Sequence, residues 1–226
     1  MDAARFREEL EEAKSTELDR LGSNKLLLAL TDADLNAESV LRAAADSENA
    51  AHTTFAAWAD DEDDPDAREL FAWVRDREAD HLDRVLDSLA ALQNGSSDAA
   101  GDDSDDADAY DPADGGTMHS YLRGRDDAVE RVAAGCVARA LVTGRTHLQL
   151  VSFFVNESDE ARADLFRDLR AETDEELERG LSFLDAHCDA DDWERARMVA
   201  EYTIQVAYDD YADALDGLGV DVKPVC

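Results

Sequence analysis

The sequence predicts an all-α protein, a four-helix bundle made of two duplicated helical hairpins with extra helices before and after. Three observations predict it. Apolar residues recur at helical spacing along most of the 226 residues. No segment alternates apolar and polar residues long enough to make a sheet. The first half also aligns on the second, without a gap, at an offset of 95 residues. Alanine and leucine dominate an apolar content of 44 %, and only three prolines interrupt the chain, a mixture that favours helix and fills one core.

The elements follow in order. Residues 1–36 hold the N-terminal helices: a polar helix over 2–20, a turn at Gly22-Ser23-Asn24, and a short apolar run, Leu26 to Leu30, that packs on the bundle. Asn36 is placed as the N-cap of a long helix starting at Ala37 and running to about Asp60. Its apolar stripe is Leu41, Ala44, Ala45, Ala51, Phe55, Trp58 and Ala59. An acidic stretch ending at Pro65 breaks it. The next helix, about 66–93, carries Leu70, Phe71, Val74, Leu82, Val85, Leu86 and Leu89, which closes the first hairpin at 37–93.

Residues 94–117 are rich in Asp, Ala, Gly and Ser, and are expected to form an acidic, solvated linker in which Gly115-Gly116 is a turn. The second hairpin, 118–187, holds helices over about 126–155 and 159–187. A last helix falls within 190–217 and contributes Val199, Ile204, Val206, Tyr208 and Tyr211. One domain spans residues 1–226.

The charge excludes whole classes of function. Fifty-six acids against 22 bases give a formal net charge of −34. Self-repulsion of that size is tolerable where molar salt screens it to a Debye length of ~3 Å, and the pattern is that of a halophilic cytoplasmic protein. Nucleic acid and anionic membrane surfaces both need a basic face, so neither is expected as a partner. The charged start and the lack of a long apolar run point to a cytoplasmic location. Cys136, Cys188 and Cys226 form no C-x-x-C pair, and Cys136 reads as a small core residue.

At the 95-residue offset, His52 falls on His147, Glu62 on Glu157, Leu70-Phe71 on Leu165-Phe166, Arg75 on Arg170, Leu82 on Leu177 and Arg84 on Arg179. Charged residues in register with leucines mark a duplicated hairpin. Two hairpins joined by a long connection make a crossover bundle of the ferritin-like kind.

Glu48 sits midway between Leu41 and Phe55, inside an apolar stripe. Glu78 and His81 lie between Val74 and Val85. Carboxylates that face a core are costly unless paired, protonated or bound to a cation. Glu78-Ala79-Asp80-His81 is also a Glu-x-x-His, which places both groups on one helix face as di-iron carboxylate proteins do.

On these residues the chain resembles rubrerythrins. Glu48, with Ala51, Phe55 and Trp58 behind it, is similar to their first ligand helix, and Arg77-Glu78-Ala79-Asp80-His81-Leu82 to their second. The likeness covers residues 37–92 well and 126–187 as the weaker repeat. It implies iron, mononuclear or di-iron, acting on peroxide or dioxygen, with manganese as the second choice. The missing cysteines imply a separate electron donor. The second half departs from the plan: the repeat puts Thr143 opposite Glu48, Thr173 opposite Glu78 and Glu176 opposite His81. A register shifted by one gives Glu172 and Glu175 as Glu-x-x-Glu, but it needs a gap. A mononuclear set of Glu48, Glu78 and His81, completed by His52, His147 or Glu176, therefore stands beside a full di-iron site.

The same residues admit a metal-free reading. Glu48 hydrogen-bonded to His81 or His147 across the core would make a non-catalytic bundle, serving as a structural or interaction module. His119 and His187 are expected at the surface, and Tyr202, Tyr208 and Tyr211 as packing aromatics. Trp58 and Trp73 are expected in the core or at the contact of a homodimer.

Overall fold

The computed structural model describes residues 1–97, 110–113 and 115–223, which are helical with no strand among them. Three short helices open the chain, α1 (Ala3–Ala13), α2 (Ser15–Leu21) and α3 (Leu26–Leu30). The first long pair is α4 (Ala37–Asp61) and α5 (Pro65–Ser97). After α6 (Gly116–Arg123), one continuous helical path runs through α7 (Ala128–Arg131), a π-helical stretch (Val132–Arg139) and α8 (Ala140–Asn156). It pairs with α9 (Glu160–His187), and α10 (Ala190–Gly217) closes the chain. No helix of the described residues is long and apolar enough to cross a membrane.

The local chemistry follows the sequence closely where caps and stripes are strong. Asn36 Oδ1 accepts from Ser39 N at 2.9 Å and starts α4 as expected. Asp189 caps α10 with a reciprocal bond to Asp192, so that the helix starts at Ala190, the first residue of the expected 190–217 segment. Three boundaries differ from the reading of the sequence. The helix over 2–20 is broken at Lys14, and the break lets Phe6 and Leu10 on one side and Leu18 and Leu21 on the other all bury. The second long helix runs on to Ser97, because a glycine costs only about 1 kcal/mol in a helix that the rest of the turn supports. Helix α6 begins inside the expected linker, at Gly116. Gly115 and Gly116 turn the chain at φ +75° and +67°, and a Cβ on Gly115 would lie 2.6 Å from that of Ala50. Cys226 and most of the expected linker lie outside the described residues.

α4 packs along α5, and α8 along α9; α5 lies against α9, and α10 crosses the π-helical stretch. Two glycines permit the closest approaches. A Cβ on Gly135 would lie 2.5 Å from the Trp58 ring, and one on Gly180 would lie 2.7 Å from Cys136 Cβ. The four long elements share a layered interior. On α4, Leu41 and Ala45 belong to one apolar cluster and Phe55 and Trp58 to another; on α5, Phe71 and Val74 belong to the second and Val85 and Leu89 to the first. The second path and α9 divide the same way, at His147 and at Thr173 to Glu176. Between the two clusters lies a buried polar layer.

Candidate metal centre

The layer contains Glu48 from α4, Glu78 and His81 from α5, Thr143 and His147 from α8, and Thr173 and Glu176 from α9, all buried. Arg139, the last residue of the π-helical stretch, is also buried at 1 % exposure. Glu48, Glu78 and His81 each bring one donor atom into a group no more than 4.8 Å across. His81 Nδ1 lies 3.5 Å from Glu48 Oε2 and 3.8 Å from Glu78 Oε2, too far for a good hydrogen bond to either. The opposite ring nitrogen, Nε2, is anchored on Glu172 Oε2 at 2.8 Å.

Glu172 is in turn held by Arg77 at 3.2 Å and Arg84 at 3.1 Å. A carboxylate behind the imidazole, with the free nitrogen facing two glutamates, is how proteins orient a histidine ligand.

The second oxygens of Glu48 and Glu78 are already engaged, as is one oxygen of Glu176. His147 Nε2 lies 3.0 Å from Glu48 Oε1. Arg139 Nη2 donates to Glu78 Oε1 at 2.7 Å and to Glu176 Oε2 at 2.6 Å, while its Nε donates to Gly135 O at 3.1 Å. Its guanidinium lies 5.1 Å from the Phe55 ring centre. A guanidinium therefore bridges Glu78 of α5 and Glu176 of α9 across the polar layer. It explains how Glu176 is tolerated with no exposure at all.

Electrostatics sorts the three carboxylates. Burial would raise Glu48, but His147 and His81 outweigh it and hold the group well below the usual carboxylate range. Burial pushes Glu78 well above that range, offset only in part by Arg139 and reinforced by Glu176 and Glu48. Glu176 is raised by burial as well. Burial lowers the His81 imidazole, yet Glu48 beside it outweighs that and raises it.

The donor set fits one ion. Nitrogen and oxygen ligands lie about 2.0–2.2 Å from a small divalent ion, so they fall within about 4.4 Å of one another. The three donor atoms lie within 4.8 Å of one another, and His81 Nδ1 lies 3.5 and 3.8 Å from the two carboxylate oxygens, close to what one ion needs. Buried atoms with no hydrogen-bond partner among the described residues include Glu78 Oε2 and His81 Nδ1, both in that group. Two carboxylates and one imidazole suit iron or manganese better than structural zinc.

Of the six residues predicted from sequence, His147 and Glu176 enter the layer but bind Glu48 and Arg139. His52 does not reach it: its Nδ1 lies on the Arg75 carbonyl at 3.2 Å, half-buried outside the group. His119, expected at the surface, is buried, because the Gly115 turn lays α6 onto α4 and brings Nδ1 within 3.0 Å of Thr54 Oγ1. His187 is exposed as expected, and Trp58 lies in the core.

Sequence reasoning missed Arg139 and the anchoring role of Glu172. The signal for Arg139 was present: the 95-residue repeat sets it opposite Ala44, a position on the buried stripe of α4. Compared with family models, curated proteins and solved structures, the chain matches none.

Proposed function

We propose that the chain is a ferritin-like, rubrerythrin-like bundle that binds one divalent transition-metal ion, iron before manganese, between Glu48, Glu78 and His81. The observation that carries this reading is the His81 ring, fixed by Glu172 at Nε2 and presenting an unpartnered Nδ1 toward two buried carboxylates. Bound iron would supply one-electron redox chemistry toward peroxide or dioxygen, with electrons from a separate donor. The protein's part is to hold the ligand atoms and to exclude bulk water through the two apolar clusters. The Arg139 guanidinium, already between Glu78 and Glu176, restricts the centre to one ion.

One observation favours a second reading. Arg139 and His147 satisfy much of the layer without metal, as a structural or interaction module would require. Elemental analysis of the full chain purified in high salt separates the two. The expected result is close to one iron or manganese per chain, lost in His81→Ala and Glu78→Ala while circular dichroism stays helical. Equal, substoichiometric metal in the parent and both variants would remove the metal reading.

A further inference from the structure

A cavity of about 530 Å³ opens beside the polar layer, between α2, α3, α4, α6, α8 and α10. Sites for small molecules fall in this size range. Leu21, Leu26, Leu30, Val142 and Tyr211 give it apolar walls. Its lining residues include no lysine or arginine, and its principal polar groups are Asp46, Asp210 and His119.

All three offer acceptors. Asp46 uses Oδ1 for Tyr110 Oη at 2.9 Å and for Ala113 N at 3.1 Å. Asp210, half-buried, makes no hydrogen bond or ion pair with another described residue. His119 is 3 % exposed. Thr54 Oγ1 lies 2.8 Å from Ala50 O and 3.0 Å from His119 Nδ1.

A hydroxyl has one proton and a carbonyl can only accept. Both contacts are satisfied together only if Thr54 donates to Ala50 and the Nδ1–H of His119 donates to Thr54. That bond is open to the neutral ring and to the imidazolium alike; in the neutral ring Nε2 carries a bare lone pair that no described residue engages. Burial, and then the charge of Arg139, push His119 down to about 3, which agrees with a neutral ring.

We propose that this cavity binds a primary amine carrying a short apolar chain, its ammonium donating among His119 Nε2, Asp46 and Asp210 and its chain lying against Leu21, Leu26 and Val142. An anionic ligand of the same shape meets two aspartates and no cationic donor. An alcohol donates once and leaves the aspartates unmatched. An ammonium brings three donors and the opposite charge to a pocket whose charged lining groups are both carboxylates.

The test uses the full chain, stripped of metal with chelator, in molar KCl. Isothermal titration with hexylamine, hexan-1-ol and hexanoate compares head groups on one chain length. Hexylamine is expected to saturate one site, at least about tenfold tighter than hexan-1-ol, with no binding of hexanoate. Asp210→Asn should weaken hexylamine about fivefold or more and leave hexan-1-ol unchanged, and His119→Phe should weaken it further. Ala207→Trp, filling the cavity from α10, should abolish binding. No saturable heat with hexylamine, equal binding of the alcohol, an unaffected Asp210→Asn, or binding that survives Ala207→Trp would each overturn the proposal. Because metal is absent throughout, none of these outcomes bears on the Glu48 centre.

Discussion

Replacing Arg139 with leucine removes the only guanidinium in the polar layer and leaves Glu78 and Glu176, 1 % and 0 % exposed, facing each other. Both lose a short charged hydrogen bond, of 2.7 and 2.6 Å. Breaking a buried ion pair by deleting one partner costs about 3–5 kcal/mol, because it leaves the other charge buried and uncompensated. For a chain of this length each kcal/mol is worth about 2–4 °C, so the melting temperature should fall by roughly 6–20 °C.

Calorimetry in 2 M KCl with chelator measures it. The combined variant Arg139→Leu, Glu78→Gln, Glu176→Gln should recover most of the loss, since a buried ion pair replaced as a set is often near neutral. Added Mn²⁺ should stabilise Arg139→Leu more than the parent, as it can enter the space beside the two freed carboxylates. A loss of less than about 1 kcal/mol in the single variant would refute the reasoning, for it would mean that the carboxylates find partners elsewhere.

Three further outcomes are expected. His119 is held down to about 3 against an ordinary 6.5, so the unfolded chain takes up a proton first as pH falls; stability is fully present above pH 6.5 and is lost between there and about 3. At pH 5 the difference between the parent and His119→Phe should have moved by about 2 kcal/mol from its value at pH 7.5, and a flat difference in urea titrations would contradict the buried neutral ring. Gly180→Ala drives a methyl to 2.7 Å from Cys136 Cβ and 3.2 Å from its carbonyl carbon, and should destabilise by about 1–3 kcal/mol in thermal melts; an unchanged melt would mean that the π-helical stretch yields. Glu172→Gln frees the far side of His81 and should weaken Mn²⁺ binding about 10–100-fold in competition titrations with little change in melting, whereas unaltered affinity would deny it a positioning role.

The helices were legible because their stripes are long and their breaks are chemical: Asn36 opens α4, and Pro65 opens α5 as its first residue. Glu48, Glu78 and His81 were legible for the same reason, as polar residues set inside those stripes. Arg139 was harder to see. An arginine in an apolar run ordinarily extends its head to solvent along a covered stem, and only the repeat, which sets it opposite Ala44, shows that no solvent lies within reach. The shifted register singled out Glu172 as part of a Glu-x-x-Glu, but its anchoring role could not be read from spacing, since it depends on α9 meeting α5 at His81. His119 lies just beyond a glycine turn whose positive φ decides where α6 lands, and composition records the glycines without recording the direction of the turn.

The surface and the interior obey different charge rules, and the interior sets what the layer can hold. A net charge of −34 is borne outside, where water and salt screen each carboxylate. Among the described residues only Glu48, Glu62, Glu78 and Glu176 are buried acids, against the buried arginines Arg131 and Arg139. Glu62 is matched by Arg131 at 2.9 Å. Three carboxylates then surround one guanidinium, two positive charges short of balance. Glu78 and His81, the two groups pushed upward beside a carboxylate held down at Glu48, are where two protons would make up that difference without metal. A single divalent ion supplies the same two charges and displaces those protons. Two such ions would add four positive charges to that of Arg139 against three carboxylates, an excess as costly in a dry interior as the original deficit. The guanidinium thus does more than occupy space: it sets the charge of the layer at a deficit that one divalent ion, or two protons, would make up.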